Sequence, residues 1–221
     1  MNKIQETFGK SRVLLPVVHC IDAVQVRYQT DLALENGADG VFLINQGGMS
    51  ARDVVLQAQS LRARTFVGVN LLGTQARYVA RWAALSGIRA IWSDRADLTP
   101  KARDEEGWSG LFFGGVAFKY QPTVADVDVA AREAVRGGVD VITTSGAATG
   151  SPPTVEKIAT MRAALGDHAL AIASGITPEN VAPFLPHVDA FLVATGIEQR
   201  FGHFDAARLR ALADAIHGWG R

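Results

Sequence analysis

Eight short apolar runs recur along the 221 residues at intervals of about 28, each followed by polar residues and a helix-like segment. The runs lie near 13–19, 40–45, 65–71, 89–93, 111–118, 139–144, 169–174 and 190–195. Amphipathic stretches follow near 23–36, 51–63, 75–86, 100–106, 124–136, 154–165, 178–185 and 205–217. Runs this short and apolar read as strands buried on both faces, the condition of a parallel sheet covered by helices. Eight evenly spaced units favour a closed barrel over an open doubly wound sheet. The expectation is an α/β fold, a single-domain (β/α)8 TIM barrel over 1–221, small and with few insertions.

Local punctuation agrees with that division. Asn36-Gly37, Ser86-Gly87 and Gly137-Gly138 each end a helical pattern just before a strand, where a left-handed stop is wanted. Thr99-Pro100 and Thr177-Pro178 place a capping hydroxyl ahead of a proline at the first helical position. No linker, low-complexity tract or composition break divides the chain.

Charge and composition narrow the partners. Lys plus Arg equals Asp plus Glu at 22 each, so no basic surplus points to nucleic acid. No run approaches the roughly 18 uninterrupted apolar residues of a membrane helix. The first residues lack the apolar core of a signal peptide, and the lone Cys20 rules out an intrachain disulfide framework. These features predict a cytoplasmic protein with a small-molecule ligand, no nucleic acid, no membrane span and no cofactor. A homo-oligomeric state is left open.

In such a barrel the site lies where the strands end. The polar residues predicted there are His19, Asn45, Asn70, Asp94 and Lys119, and they form the catalytic candidates. Asn and Asp at strand ends also serve as ordinary turn formers, and a strand-end histidine also serves as a packed core residue. Lys119 follows two glycines, Gly114 and Gly115, read as leaving room inside the barrel for a ligand. A lysine facing such a space holds an anion or, if desolvated, acts as a nucleophilic amine. Cys20 has no activating partner in sequence and reads as core.

Three runs end alike in a hydroxyl residue and glycine: Thr144-Ser145-Gly146, Ser174-Gly175 and Thr195-Gly196. The last two close the seventh and eighth strands, the usual phosphate position in these barrels. Residues 197–200 are expected to form a short extra helix whose first N–H groups face the same place. Glu198 brings a negative charge there and argues against an anion. The loop from Ser145 through Thr149 to Pro153 is read as wrapping the rest of a ligand. The charged stretch 94–108 reads as a solvated loop and short helix, with a lid carrying Trp108 as the alternative. The five histidines are scattered and none is paired at a metal-ligand spacing.

Several stretches together resemble the BtpA/SgcQ family. Gly68-Val69-Asn70-Leu71-Leu72 is similar to its Gly-Val-Asn-Val-Leu signature. Thr144-Ser145-Gly146 with Thr149-Gly150 and Pro152-Pro153 resembles its Thr-Gly…Thr-Gly…Pro segment. Ser174-Gly175-Ile176-Thr177-Pro178-Glu179-Asn180-Val181 is similar to its Gly-Ser-Gly-Val-Thr-x-Glu-Asn stretch. Val18-His19, Lys119, Thr195, Gly202 and Asp205 fit further positions, and the likeness is strongest from 139 to 205. The resemblance implies a barrel of the ribulose-phosphate-binding type. The chain departs from the pattern at Ile44 and Gly115, where the family carries carboxylates, and at Glu198, where it carries lysine. Its Pro-Leu-Pro-Gly loop after the first-strand histidine is absent.

Two functions stand against each other. One is an enzyme that isomerises, cleaves or glycosyl-transfers a small phosphorylated or ribosyl metabolite. Its binding groups are Thr144, Ser145, Gly146, Thr149, Ser174, Gly175, Thr195 and Gly196. The other is a non-catalytic binding or assembly protein of the photosystem I biogenesis type that the resemblance suggests, with function on the outer helices.

Overall fold

A computed structural model describes residues 1–219. Eight parallel strands close on themselves in sequence order: β1 (Val13–His19), β2 (Val41–Ile44), β3 (Val67–Asn70), β4 (Ala90–Ser93), β5 (Leu111–Gly115), β6 (Val141–Thr144), β7 (Ala169–Ile172) and β8 (Ala190–Val193). Closure is made by β1 against β8, with Val13 opposite Ala190 and Pro16 opposite Val193. The helices are α1 (Lys3–Phe8), α2 (Ala23–Glu35), α3 (Ala51–Leu61), α4 (Ala76–Ser86), α5 (Pro100–Glu105), α6 (Val127–Arg136), α7 (Val155–Leu165) and α8 (Ala206–Gly218). This is the expected (β/α)8 barrel. Among the described residues, no helix is long and apolar enough to cross a membrane.

Alternation along the strands sorts the apolar residues into two cores. The inner one includes Leu15, Val17, Phe42, Ile44, Trp92, Phe113 and Leu192, with Ala169 and Ala171 on β7 and Ala173 just after it. Phe42 packs edge-on against Phe113 and Trp92, with ring centroids 5.0 and 6.0 Å apart. The larger cluster lies between strands and helices and takes the alternate residues, among them Leu14, Val18, Leu43, Ile91 and Phe191. β7 contributes small residues to this interior, and β2, β4 and β5 contribute bulky ones.

Three aspartates just before strands seal the opposite end. Asp39, Asp140 and Asp189 accept the N–H of Leu14, Phe112 and Leu170, the strand preceding each in the barrel, at 2.8, 2.8 and 2.9 Å. Each is also paired with a cation or histidine: Asp39 with His217, Asp140 with Arg103 and Asp189 with Arg162. Gly-Ala-Asp-Gly-Val at 37–41 and Gly-Val-Asp-Val-Ile at 138–142 thus carry the same device, an aspartate that ties neighbouring strands at their amino ends.

Four elements differ from expectation. Helix α1, unforeseen because it is only six residues long, inserts Ile4 into the inner core and closes the barrel floor. The helix expected at 178–185 is a single 3₁₀ turn, Ala182–Phe184, with Pro183 inside it. The fifth strand stops at Gly115 rather than 118. Gly115 is small because a Cβ there would lie 2.0 Å from the Asp94 carbonyl, so it makes room for the neighbouring backbone and not for a ligand. Finally, 198–200 is no helix: β9 (Glu198–Arg200) pairs antiparallel with β10 (His203–Phe204) after a 3₁₀ turn at Thr195–Ile197. Trp108 is no lid either, for it is buried and donates its indole N–H to the Ile88 carbonyl.

Candidate functional site

At the carboxyl ends of the strands lies a cavity of about 240 Å³ whose lining includes Val17, Ile44, Trp92, Ala173 and Leu192 below. Above them stand His19, Asp94, Lys119, Thr149, Ser174, Gly175 and Thr195. Seven of the candidate residues thus meet in one place, contributed by strands or loops far apart in sequence. Gln46, Tyr120 and Leu72 complete much of the rim.

One wall is built by β1 and the hairpin after β8. His19 Nδ1 lies 2.8 Å from Glu198 Oε1, and both side chains are more than nine-tenths buried. Glu198 Oε1 also accepts the Gly202 N–H at 2.9 Å, and the Phe201 ring stacks on the imidazole at 4.6 Å. Gln25 donates to the carbonyls of His19 and Gly202, joining α2 to both strand end and hairpin. With Glu198 accepting Nδ1–H, the neutral form of the imidazole has its lone pair on Nε2. The sequence counted Glu198 as a charge working against an anion; in the fold that charge belongs to His19.

In a closed eight-stranded barrel the opposite wall belongs to β4 and β5. Asp94 Oδ1 accepts from Nδ2 of buried Asn70 at 3.2 Å. Desolvation pushes the Asp94 carboxyl above its ordinary value, against the opposing pull of that hydrogen bond and of the Lys119 charge. Burial likewise lowers Lys119, with Asp94 and Tyr120 pulling the other way. The Lys119 ammonium stands over the Phe118 ring at 5.6 Å. Its backbone N–H donates to Ser145 Oγ at 2.7 Å.

The third side is formed by the turns after β7 and β8. Among the described residues, the N–H groups of Ser174, Gly175, Thr195 and Gly196 meet no protein acceptor. Gly175 has φ +68, and a Cβ on it would lie 2.1 Å from Pro152 N; one on Gly196 would lie 1.8 Å from the Ile176 carbonyl. Both glycines are therefore demanded by close packing of adjacent loops, whatever else their amides do. Ser174 Oγ donates to the Ala148 carbonyl, which ties this turn to the β6 loop.

Six candidates lie outside the cavity lining: Asn45, Asn70, Thr144, Ser145, Gly146 and Gly196. Asn45 accepts the Leu72 N–H at 2.7 Å and donates to the Leu72 carbonyl, so its side chain joins two loops as a turn former would. Thr144 lies on the outer face of β6, one residue out of register with inward Thr143, and donates to the Ala117 carbonyl. Ser145 and Gly146 are wall-makers of the second rank: Ser145 Oγ accepts from Lys119 and donates to the Gly146 carbonyl. Cys20 is buried, and desolvation drives its thiol up to about 12.

Trp92 and Lys157 carried no signal in sequence beyond an apolar run and a helix. The indole N–H of Trp92, at the cavity floor, is a buried side-chain donor without a partner among the described residues. No cluster of three or more His, Cys, Asp or Glu suited to a metal occurs among those residues.

No known family profile matches the chain, and no curated protein is similar to it in sequence. Solved structures do resemble it. Tryptophan synthase from Mycobacterium tuberculosis superposes with TM-score 0.71 at 14% identity, covering 98% of each chain. The tryptophan synthase alpha chain from Legionella pneumophila gives 0.68 at 18%, covering 100% of this chain and 99% of that one. Phosphoribosyl anthranilate isomerase in complex with reduced 1-(o-carboxyphenylamino)-1-deoxyribulose 5-phosphate gives 0.64 at 14%, covering 93% and 99%. Identities this low establish a shared barrel fold.

Proposed function

We propose that the chain is an enzyme that binds a small phosphorylated metabolite in this cavity and moves protons on it, as an isomerase or a lyase. The observation that carries the reading is the pairing of two proton-handling stations across one space. His19, oriented by Glu198, faces from the end of β1; Asp94 and Lys119 face from the loops after β4 and β5. An isomerisation or a retro-aldol cleavage needs a base on one side of a carbon centre and an acid or cation on the other. Nε2 of His19 takes the proton. The Lys119 ammonium, with the Asp94 carboxylate beside it, stabilises the oxygen on which charge develops.

The free amides of 174–175 and 195–196 suit the phosphate, and the Thr195 hydroxyl adds a donor. At about 240 Å³ the cavity is below the roughly 300 Å³ at which drug-sized ligand sites begin, which favours a short metabolite. The unpaired Trp92 indole would meet a ligand oxygen near the floor. Support also comes from the phosphoribosyl anthranilate isomerase, which shares the fold and holds a deoxyribulose 5-phosphate compound. The BtpA/SgcQ resemblance agrees, since its motif stretches at 144–153 and 174–181 form two loops of this mouth.

The test is calorimetry and thermal shift with inorganic phosphate, ribose 5-phosphate and dihydroxyacetone phosphate. A ligand at 100 times its Kd adds about 2.7 kcal/mol of stability, a shift of several degrees. Replacing Gly175 or Gly196 confounds this experiment, because any side chain there meets backbone. Thr195→Glu is the better variant: Thr195 is exposed and lines the cavity, so the carboxylate repels an anion without a clash. Absence of any shift with all three compounds at millimolar concentration would count decisively against the reading.

A further inference from the structure

Lys157 lies in the first turn of α7, outside the cavity lining, and none of the chemistry above uses it. Its half-buried ammonium donates to two backbone carbonyls, Ala117 at 2.6 Å and Ser145 at 2.8 Å. No charged group of α7, the β5 loop or the β6 loop acts on it; burial alone lowers its pKa, to about 8. The first turn of a helix also disfavours a cation, because the peptide N–H ends gather there. A lysine kept charged in this position is therefore electrostatically costly, and its two acceptors say what it holds.

Both acceptors lead to Lys119. Ala117 has φ +47 and Tyr120 φ +62, so two non-glycine residues in the left-handed region flank Lys119 within four positions. Such backbone persists only where its surroundings fix it. The Ala117 carbonyl is fixed by Lys157 and by Thr144 Oγ1. Tyr120 is fixed through its hydroxyl, which contacts Thr149 Oγ1 and accepts the Thr149 N–H, both at 3.3 Å. Ser145, whose carbonyl Lys157 holds, accepts the N–H of Lys119 itself at 2.7 Å.

We propose that Lys157 is a positioning residue: its ammonium clips the loop after β5 to the loop after β6 and thereby presents Lys119 to the cavity, facing Asp94. The role rests on the reading of Lys119 as a working group of that cavity. The charged and titratable groups that face Lys119 are Asp94 from the β4 loop and Tyr120 from its own loop. Released from the clip, Lys119 moves toward water and toward the behaviour of an ordinary lysine.

The experiment reads the acetylation rate of Lys119 by a small N-hydroxysuccinimide ester, site by site by mass spectrometry, from pH 7 to 11. Lys101, whose side chain is 87% exposed, is the internal standard in the same sample. In the wild type the Lys119 midpoint lies below the ordinary lysine value of 10.5. Lys157→Met raises it by at least about half a unit, which lowers the Lys119-to-Lys101 rate ratio near neutral pH about threefold. Ser145→Ala moves it the same way by removing the acceptor of the Lys119 N–H. An unchanged Lys119 profile in folded Lys157→Met protein overturns the proposal; if that variant does not fold, an unchanged profile in Ser145→Ala does so. The readout uses no phosphorylated ligand. A failed phosphate titration therefore sinks the functional reading alone, and an unmoved acetylation profile sinks the clip alone.

Discussion

Glu198 Oε1 sits 2.8 Å from His19 Nδ1, joining the end of the first strand to a hairpin that follows the eighth. The two residues are 179 positions apart and meet because β1 closes the barrel against β8. The carboxylate fixes the imidazole's tautomer, and the Phe201 ring covers one of its faces.

His19→Ala is expected to lower turnover on a substrate identified by the binding screen by about 10²–10⁴-fold, the usual worth of a general base. Glu198→Gln preserves shape but removes the charge that supports imidazolium, so its loss falls in the same direction and is smaller. Ligand affinity measured by calorimetry should change little in either variant. A turnover unaffected by both substitutions removes this pair from the mechanism.

The opposite wall sets the pH profile. Asp94 is pushed above the ordinary carboxyl value of 3.8 by desolvation, so a step needing its carboxylate fades on the acid side at a pH above 3.8. Lys119 is pulled below 10.5 by desolvation, so a step needing its ammonium fades on the alkaline side below 10.5. Rate measurements across pH should show a bell narrower than free side chains would give. Asp94→Asn should flatten the acid limb and Lys119→Met the alkaline one.

Lys157 should make stability itself depend on pH. Its folded value of about 8 is below the ordinary 10.5, so between these limits the unfolded chain binds more protons and stability rises with pH. The contribution is fully present above 10.5 and is lost as pH falls through about 8. For a group partly open to water the gain is on the order of 1 kcal/mol. Denaturant titrations at pH 7 and 9.5 should therefore show a larger rise for the wild type than for Lys157→Met, and equal rises would contradict the assignment.

The floor offers a test of fold alone. Ile4→Ala removes the side chain that α1 inserts into the inner core and should cost about 2–5 kcal/mol in urea unfolding. A loss below about 1 kcal/mol would mean that α1 merely rests on the barrel.

The barrel was legible because its determinants are local. Apolar runs of strand length, glycine stops at 37, 87 and 138, and the Thr99 cap before Pro100 each announce themselves within a few residues. The face that carries the cavity followed from parallel topology, so His19, Asp94, Lys119, Ser174, Gly175 and Thr195 were named from strand ends. Short-range patterns gave no way to place Asn45 and Thr144, because a shift of one residue turns a side chain to the other face of a strand. They gave no way to see α1, too short for a helical period, or the β9–β10 hairpin, whose pairing depends on the turn at 201–202.

What the sequence by itself determined was therefore the order and number of the βα units, hence the fold and the end at which to look. The tertiary structure alone decided who partners whom there: Glu198 with His19, Asn70 with Asp94, and Lys157 with the carbonyls of Ala117 and Ser145. The physical reason is that backbone pattern is written in neighbouring residues, whereas a charge takes its meaning from its surroundings after closure. Glu198, read in isolation as a charge that repels an anion, becomes the counterpart of a buried imidazole once the first and last strands meet.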